Sequence, residues 1–215
     1  MLTAVYFVYT LIMLGLVVAA WRIRPGRSRA YLWLLLAVLV GLAYDNLIIA
    51  IGSFVGESDL LKTLNAGRFA IHALATPLLA IFGFGVVRSA GLGWAQSKVW
   101  HAVVCIFATA LLGLGTFTDI VRLELAPRAL ADTLRYVNVA VKGPPIPSIL
   151  TIIALIVMGI FLWRKTGWQW LALGSLVMFV AAAGGTGDRI FIANFGEAVL
   201  GISCVLSARK FFTSN

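Results

Sequence analysis

The chain has 215 residues, of which 61% are hydrophobic and 12% charged, with mean hydropathy +1.01 and a formal net charge of +9. That balance excludes an ordinary water-soluble domain and reads as an integral membrane protein. The basic residues sit beside apolar runs, where anionic headgroups and topology account for them, so membrane lipids and not nucleic acid are the expected partners.

A helix needs about 20 mostly apolar residues to cross a bilayer, and seven stretches qualify or nearly do: 3–21, 31–53, 67–87, 99–118, 147–163, 168–186 and 190–208. Their apolar character is continuous, which favours helices over the alternating strands of a lipid-embedded barrel. The expected fold is all-α, a single seven-helix transmembrane domain over residues 1–215. No basic residue precedes the first run and Arg22, Arg24, Arg27 and Arg29 follow it, the reverse of a secretory signal peptide, so it is expected to be a retained helix.

The connections at 22–30, 88–98 and 164–167, with the tail from Arg209, carry ten Lys or Arg and no acid, while all eight acids lie on the other side or within the apolar runs. By the positive-inside rule the N-terminus is outside and the C-terminus cytoplasmic, as in a multi-pass protein of a bacterial inner membrane. Trp21, Trp33, Trp94, Trp100, Trp163, Trp168 and Trp170 fall near the cytoplasmic ends, as interfacial anchors do. The opposite side carries a 28-residue connection, 119–146, with mixed charge and then Gly143-Pro144-Pro145. A half-amphipathic helix over Arg128–Val141, lying as a lid, is expected there. Trp21-Arg22 and Trp163-Arg164, with Arg68-Phe69-Ala70-Ile71 and Arg189-Ile190-Phe191-Ile192, form a short internal echo. It suggests parallel repeats of three helices around a linking fourth.

Polar residues inside apolar runs mark the functional candidates. Asp45 lies in the second run between Tyr44 and Asn46; the third opens with Arg68 and His72; the last is entered by Asp188 and Arg189 and contains Asn194 and Glu197. At about 1.5 Å of rise per residue, Asp45, His72 and Glu197 lie roughly 8–12 Å from the outer helix ends. Arg68 and His72 are four apart, and Asn194 and Glu197 three apart, so each pair shares a helix face. Asp45, His72 and Glu197 are therefore the candidate catalytic groups, with Asp45 or Glu197 as acid and His72 as base. Tyr44, Asn46, Arg68, Asp188, Arg189 and Asn194 are candidates for binding substrate, Arg68 and Arg189 taking an anionic headgroup. Gly41, Gly196 and Gly201 allow close helix approach or leave room for a ligand.

Other chemistries are poorly supported. Cys105 and Cys204 have no metal or disulfide spacing, and no HxxxH or ExxH pair signals a metal. Ser53 and Ser58 lack a nucleophile-elbow context. The last run has no lysine for a retinal Schiff base, and no cofactor is implied. The placement of Asp45 and Glu197 resembles that of the small seven-helix membrane terpene cyclases, whose proposed acids lie on the second and seventh helices. That resemblance implies acid–base chemistry on an isoprenoid-type substrate. The reading is a membrane-embedded enzyme acting on an amphipathic lipid or isoprenoid in an outward-facing polar pocket. The alternatives are a small-molecule transporter or receptor, and a structural subunit of a membrane complex.

Overall fold

A computed structural model describes residues 1–24, 26–141, 143–185 and 189–213. Helix α1 spans Leu2–Trp21, α2 Arg29–Val55, α3 Asp59–Ala75, α4 Leu78–Ser89, α5 Lys98–Thr116, α6 Ile146–Thr166, α7 Trp170–Gly184 and α8 Phe191–Phe212. Pro77, which offers no N–H to the helix ladder, separates α3 from α4. The two together form one 31-residue apolar element, Asp59–Ser89. Six helices, this one included, are long and apolar enough to cross a membrane, and α7 is shorter at 15 residues.

The expected third helix began at residue 67, yet α3 starts at Asp59. Its first turns carry Lys62, Thr63 and Asn65 and are too polar to register as a hydropathy peak. They are set by a cap: the Ser58 hydroxyl accepts from the Leu61 N–H at 3.2 Å, and Asp59 follows in the first turn.

Helix α2 packs against α1, α3, α4 and α8, and α8 against α1, α4 and α7, so these elements surround the polar residues of α2. One end of the bundle gathers the aromatic belt. Trp21 meets Trp33 at 5.4 Å, Trp94 meets Trp100 and Phe161 at 5.8 Å each, and Lys210 Nζ lies 4.5 Å from the Trp168 ring. Below this basic end the core is closed by Leu35, Leu39, Phe82, Phe84, Leu155 and Phe212, all fully buried. Helices approach closely at small residues: a Cβ on Gly159 would sit 2.5 Å from the Ala172 nitrogen of α7.

The other end is covered by a β-hairpin, which replaces the helix expected over Arg128–Val141. Strands β1 (Leu125–Leu130) and β2 (Thr133–Asn138) pair antiparallel, Leu130 opposite Thr133 and Leu125 opposite Asn138. Pro127 removes a helix hydrogen bond but is tolerated in an edge strand, and Thr133, Tyr136 and Val137 favour extended backbone. A two-residue turn joins the strands, its first residue Ala131 at φ 49°.

The turn is tied to both neighbouring helices. The Asp132 carboxylate receives the N-terminal amine and, at 2.7 Å, the Leu2 N–H, capping α1 from outside its own sequence. The Asp132 carbonyl accepts from Thr3 at 2.8 Å and from Ser53 at 2.6 Å. The hydrogen bond from the amine holds the Asp132 carboxyl down to about 2. Strand β2 lies so close on α2 that a Cβ at Gly52 would collide with the Leu134 carbonyl. Beneath it, Ile48, Leu61 and Tyr136 form a small apolar cluster.

Candidate functional site

Directly under the hairpin, α2, α3 and α8 bring most of the candidate residues together. Asp45 and Asn46 are consecutive, so their side chains leave α2 about 100° apart. Asp45 turns to α3: its Oδ1 accepts from Arg68 Nε at 2.9 Å and lies 3.5 Å from His72 Nε2. The four-residue spacing of Arg68 and His72 lets both reach one carboxylate oxygen. Asn46 turns to α8, where Asn194 Nδ2 donates to its Oδ1 at 3.3 Å and also to Glu197 Oε2 at 3.3 Å. The three polar faces expected from sequence spacing therefore form two sets of contacts, one to α3 and one to α8, that meet at the neighbouring residues Asp45 and Asn46 of α2.

Within these contacts the two acids differ. Asp45 is buried and shared by two basic partners. Glu197 is half-buried, has no basic group within 4 Å among the described residues, and takes its hydrogen bond from a neutral amide. It still lies near enough to His72, Asp45 and Arg68 to interact with each electrostatically. The His72 side chain keeps 33% of its surface accessible. Residues Ala66 to His72 are all half-buried. Seven consecutive residues span about two turns of helix, so α3 is incompletely covered on every face at this level, including the face toward the cluster.

The remaining candidates lie at the margin. Tyr44 Oη donates to the Leu64 carbonyl at 2.9 Å, a tie between α2 and α3. Arg189 is exposed just before α8, and Asp188 lies outside the described residues. Gly196 packs on Ala181 and Met178, and Gly201 on Leu16 and Leu39, so both serve helix approach. Among the described residues, no three His, Cys, Asp or Glu side chains converge as metal ligands.

Sequence reasoning missed three residues. Asn65 is fully buried and accepts from Arg68 Nη1 at 2.7 Å, completing the hold on that guanidinium. Arg135 points from β2 into the bundle and is only 3% exposed, and Tyr6 of α1 is fully buried. Burial lowers the Arg135 guanidinium from its ordinary value. Strand alternation gives no signal for its burial: the apolar face of β2 is Leu134 and Tyr136, which would leave Arg135 outward, yet both Arg135 and Tyr136 are buried.

On the side of α2 and α3 away from α8, the seam opens into an apolar groove of about 390 Å³. Val40, Gly41 and Tyr44 of α2 face Ile71, Leu74 and Ala75 of α3 across it. A second cavity of about 10 Å³, room for one water, borders His72 and shares Gly41, Ile71 and Ala75 with the groove. Gly41 is pressed against Ile71, so the wall between groove and His72 is one side chain thick.

No protein-family model matches the chain, and no curated protein matches it. The chemistry of the site has to be argued from its own residues.

Proposed function

We propose that the protein is a membrane-embedded enzyme that moves protons on a lipid or isoprenoid-type substrate. The observation that carries this reading is the seam at Gly41 and Ile71, where an apolar groove open to the side of the bundle comes within one side chain of the small cavity at His72, the partner of Asp45. An apolar chain fits the groove, and a shift of the Ile71 side chain would bring its polar end to the cluster. Glu197 is the proton donor, being the carboxyl of the cluster with no basic group in contact among the described residues. His72 is the acceptor, a positioned base whose imidazole is held by Asp45. A proton passes from the Glu197 carboxyl to the substrate and another leaves the substrate for His72. This exchange is redox-neutral and suffices for isomerisation or cyclisation, or for hydrolysis when water is the nucleophile.

One end of the bundle carries ten Lys or Arg and no acid, which supports an orientation with the hairpin and this site toward the outside of the membrane. In intact cells, a membrane-impermeant thiol reagent is expected to label Leu130→Cys and to leave Arg27→Cys unlabelled. The opposite pattern contradicts the orientation.

A transporter of the same amphipathic molecule is the second reading, favoured by the helix break at Pro77 one turn below His72. The closed apolar core at Phe82, Phe84 and Phe212 weighs against a path through the bundle. Purified protein in detergent, with no gradient, is expected to convert a component of a total membrane lipid extract, seen as a mass change. Ala75→Leu, which narrows the groove where it borders the His72 cavity, is expected to slow that conversion at least tenfold. Uptake by sealed vesicles without conversion in detergent supports the transporter and sinks the enzyme.

A further inference from the structure

Beneath the hairpin, Arg135 of β2 and Tyr6 of α1 are buried against each other. Among the described residues, Arg135 is 3% exposed and its Nε reaches no acceptor, and the fully buried Tyr6 Oη has only the Arg135 guanidinium facing it. Among the described residues, no carboxylate lies within ion-pairing distance of Arg135, because Asp45 is already taken by Arg68 and His72. Arg135 interacts electrostatically with both Tyr6 and Arg68, so the three groups, from α1, α3 and β2, share one neighbourhood. A buried unpaired charge is strongly destabilising, and an unsatisfied buried polar group calls for an explanation.

We propose that Tyr6, Arg68 and Arg135 bind the phosphate headgroup of a lipid. The inference rests on the lipid-enzyme reading and names the class of its substrate. Two guanidinium groups and a phenol exceed what one carboxylate can neutralise, but they match a tetrahedral oxyanion, whose oxygens accept from several directions. Arg68 already commits Nε to Asp45 and Nη1 to Asn65, so it contributes charge and its remaining N–H groups. Arg135 contributes its guanidinium, whose Nε–H has no acceptor among the described residues, and Tyr6 donates its hydroxyl. The headgroup lies under the hairpin while the chain descends along the groove between α2 and α3. From Arg68 to Leu78, the lowest groove residue on that element, the rise is about 15 Å, the length of a medium acyl or short isoprenoid chain.

The test is thermal unfolding of the purified protein in neutral detergent, titrated separately with dodecyl phosphate, dodecanol and inorganic phosphate. A ligand that binds only the folded state raises the midpoint as its concentration passes the Kd. Dodecyl phosphate is expected to raise it in a saturable way and dodecanol to leave it unchanged. Arg135→Met and Tyr6→Phe are expected to weaken the apparent affinity at least tenfold. Without ligand, Arg135→Met is expected to unfold at the wild-type temperature or above, since it removes an unpaired buried charge. Glu197→Gln is expected to keep the full shift while losing lipid conversion, so failure of the headgroup site and failure of the catalytic assignment are read separately. An unchanged response in both Arg135→Met and Tyr6→Phe overturns the site. Equal stabilisation by inorganic phosphate and dodecyl phosphate overturns its assignment to a lipid.

Discussion

Asp45→Leu is expected to lower thermal stability more than the other site substitutions considered, by about 3–5 kcal/mol, because it leaves a buried charge uncompensated. Asp45 is 2% exposed and is the acid within reach of both Arg68 and His72 among the described residues. Polar ties between membrane helices average under about 1 kcal/mol when both partners are present. Removing one partner is a different event. Arg68 would keep its hydrogen bond to Asn65 but lose its counter-charge. Adding Arg68→Met to Asp45→Leu is therefore expected to recover most of the loss. Thermal unfolding of the single and double variants checks this, and a single variant that melts with the wild type would show that the pair is not the tie described.

Glu197→Gln should behave in the opposite way, losing lipid conversion by about 10²- to 10⁴-fold, the usual contribution of a general acid, while its melting temperature stays close to that of the wild type. Among the described residues its hydrogen bond comes from Asn194 Nδ2, and a glutamine oxygen accepts that bond equally well. The amide keeps the shape but cannot deliver a proton. His72→Ala is expected to lose conversion as well, and the two together to be little worse than either alone, because members of one catalytic unit are not additive. Losses that add and follow the folded fraction would return Glu197 and His72 to a structural role.

The helices were legible because lipid demands long continuous apolar runs, and six elements of the required length appear where those runs lie. The inward faces were legible from spacing alone: Arg68 with His72, and Asn194 with Glu197, meet the partners their helical offsets imply. Two things were hidden. The start of α3 depends on the Ser58 cap, since its first turns, with Lys62 and Asn65, carry no hydropathy signal. The hairpin was hidden because its pairing joins Leu125 to Asn138 across a two-residue turn, and only that register shows which way Arg135 points. With the hairpin unread, Arg189 looked the natural partner of Arg68 for an anion. Arg189 is exposed, and the buried arginine beside Arg68 is Arg135. The difference in surroundings between Asp45 and Glu197 was equally out of reach, since it depends on which acid the α3 bases contact.

The most direct measurement of the central claim is native mass spectrometry of wild-type and Glu197→Gln protein extracted gently from the membrane. If Glu197 delivers the proton to a bound lipid, the variant retains one phosphate-bearing lipid at near-stoichiometric occupancy, and added wild-type enzyme converts that lipid to a species of different mass or fragmentation. If wild type and variant carry the same bulk membrane lipids at the same occupancy, and neither is altered by wild-type enzyme, the catalytic account is wrong.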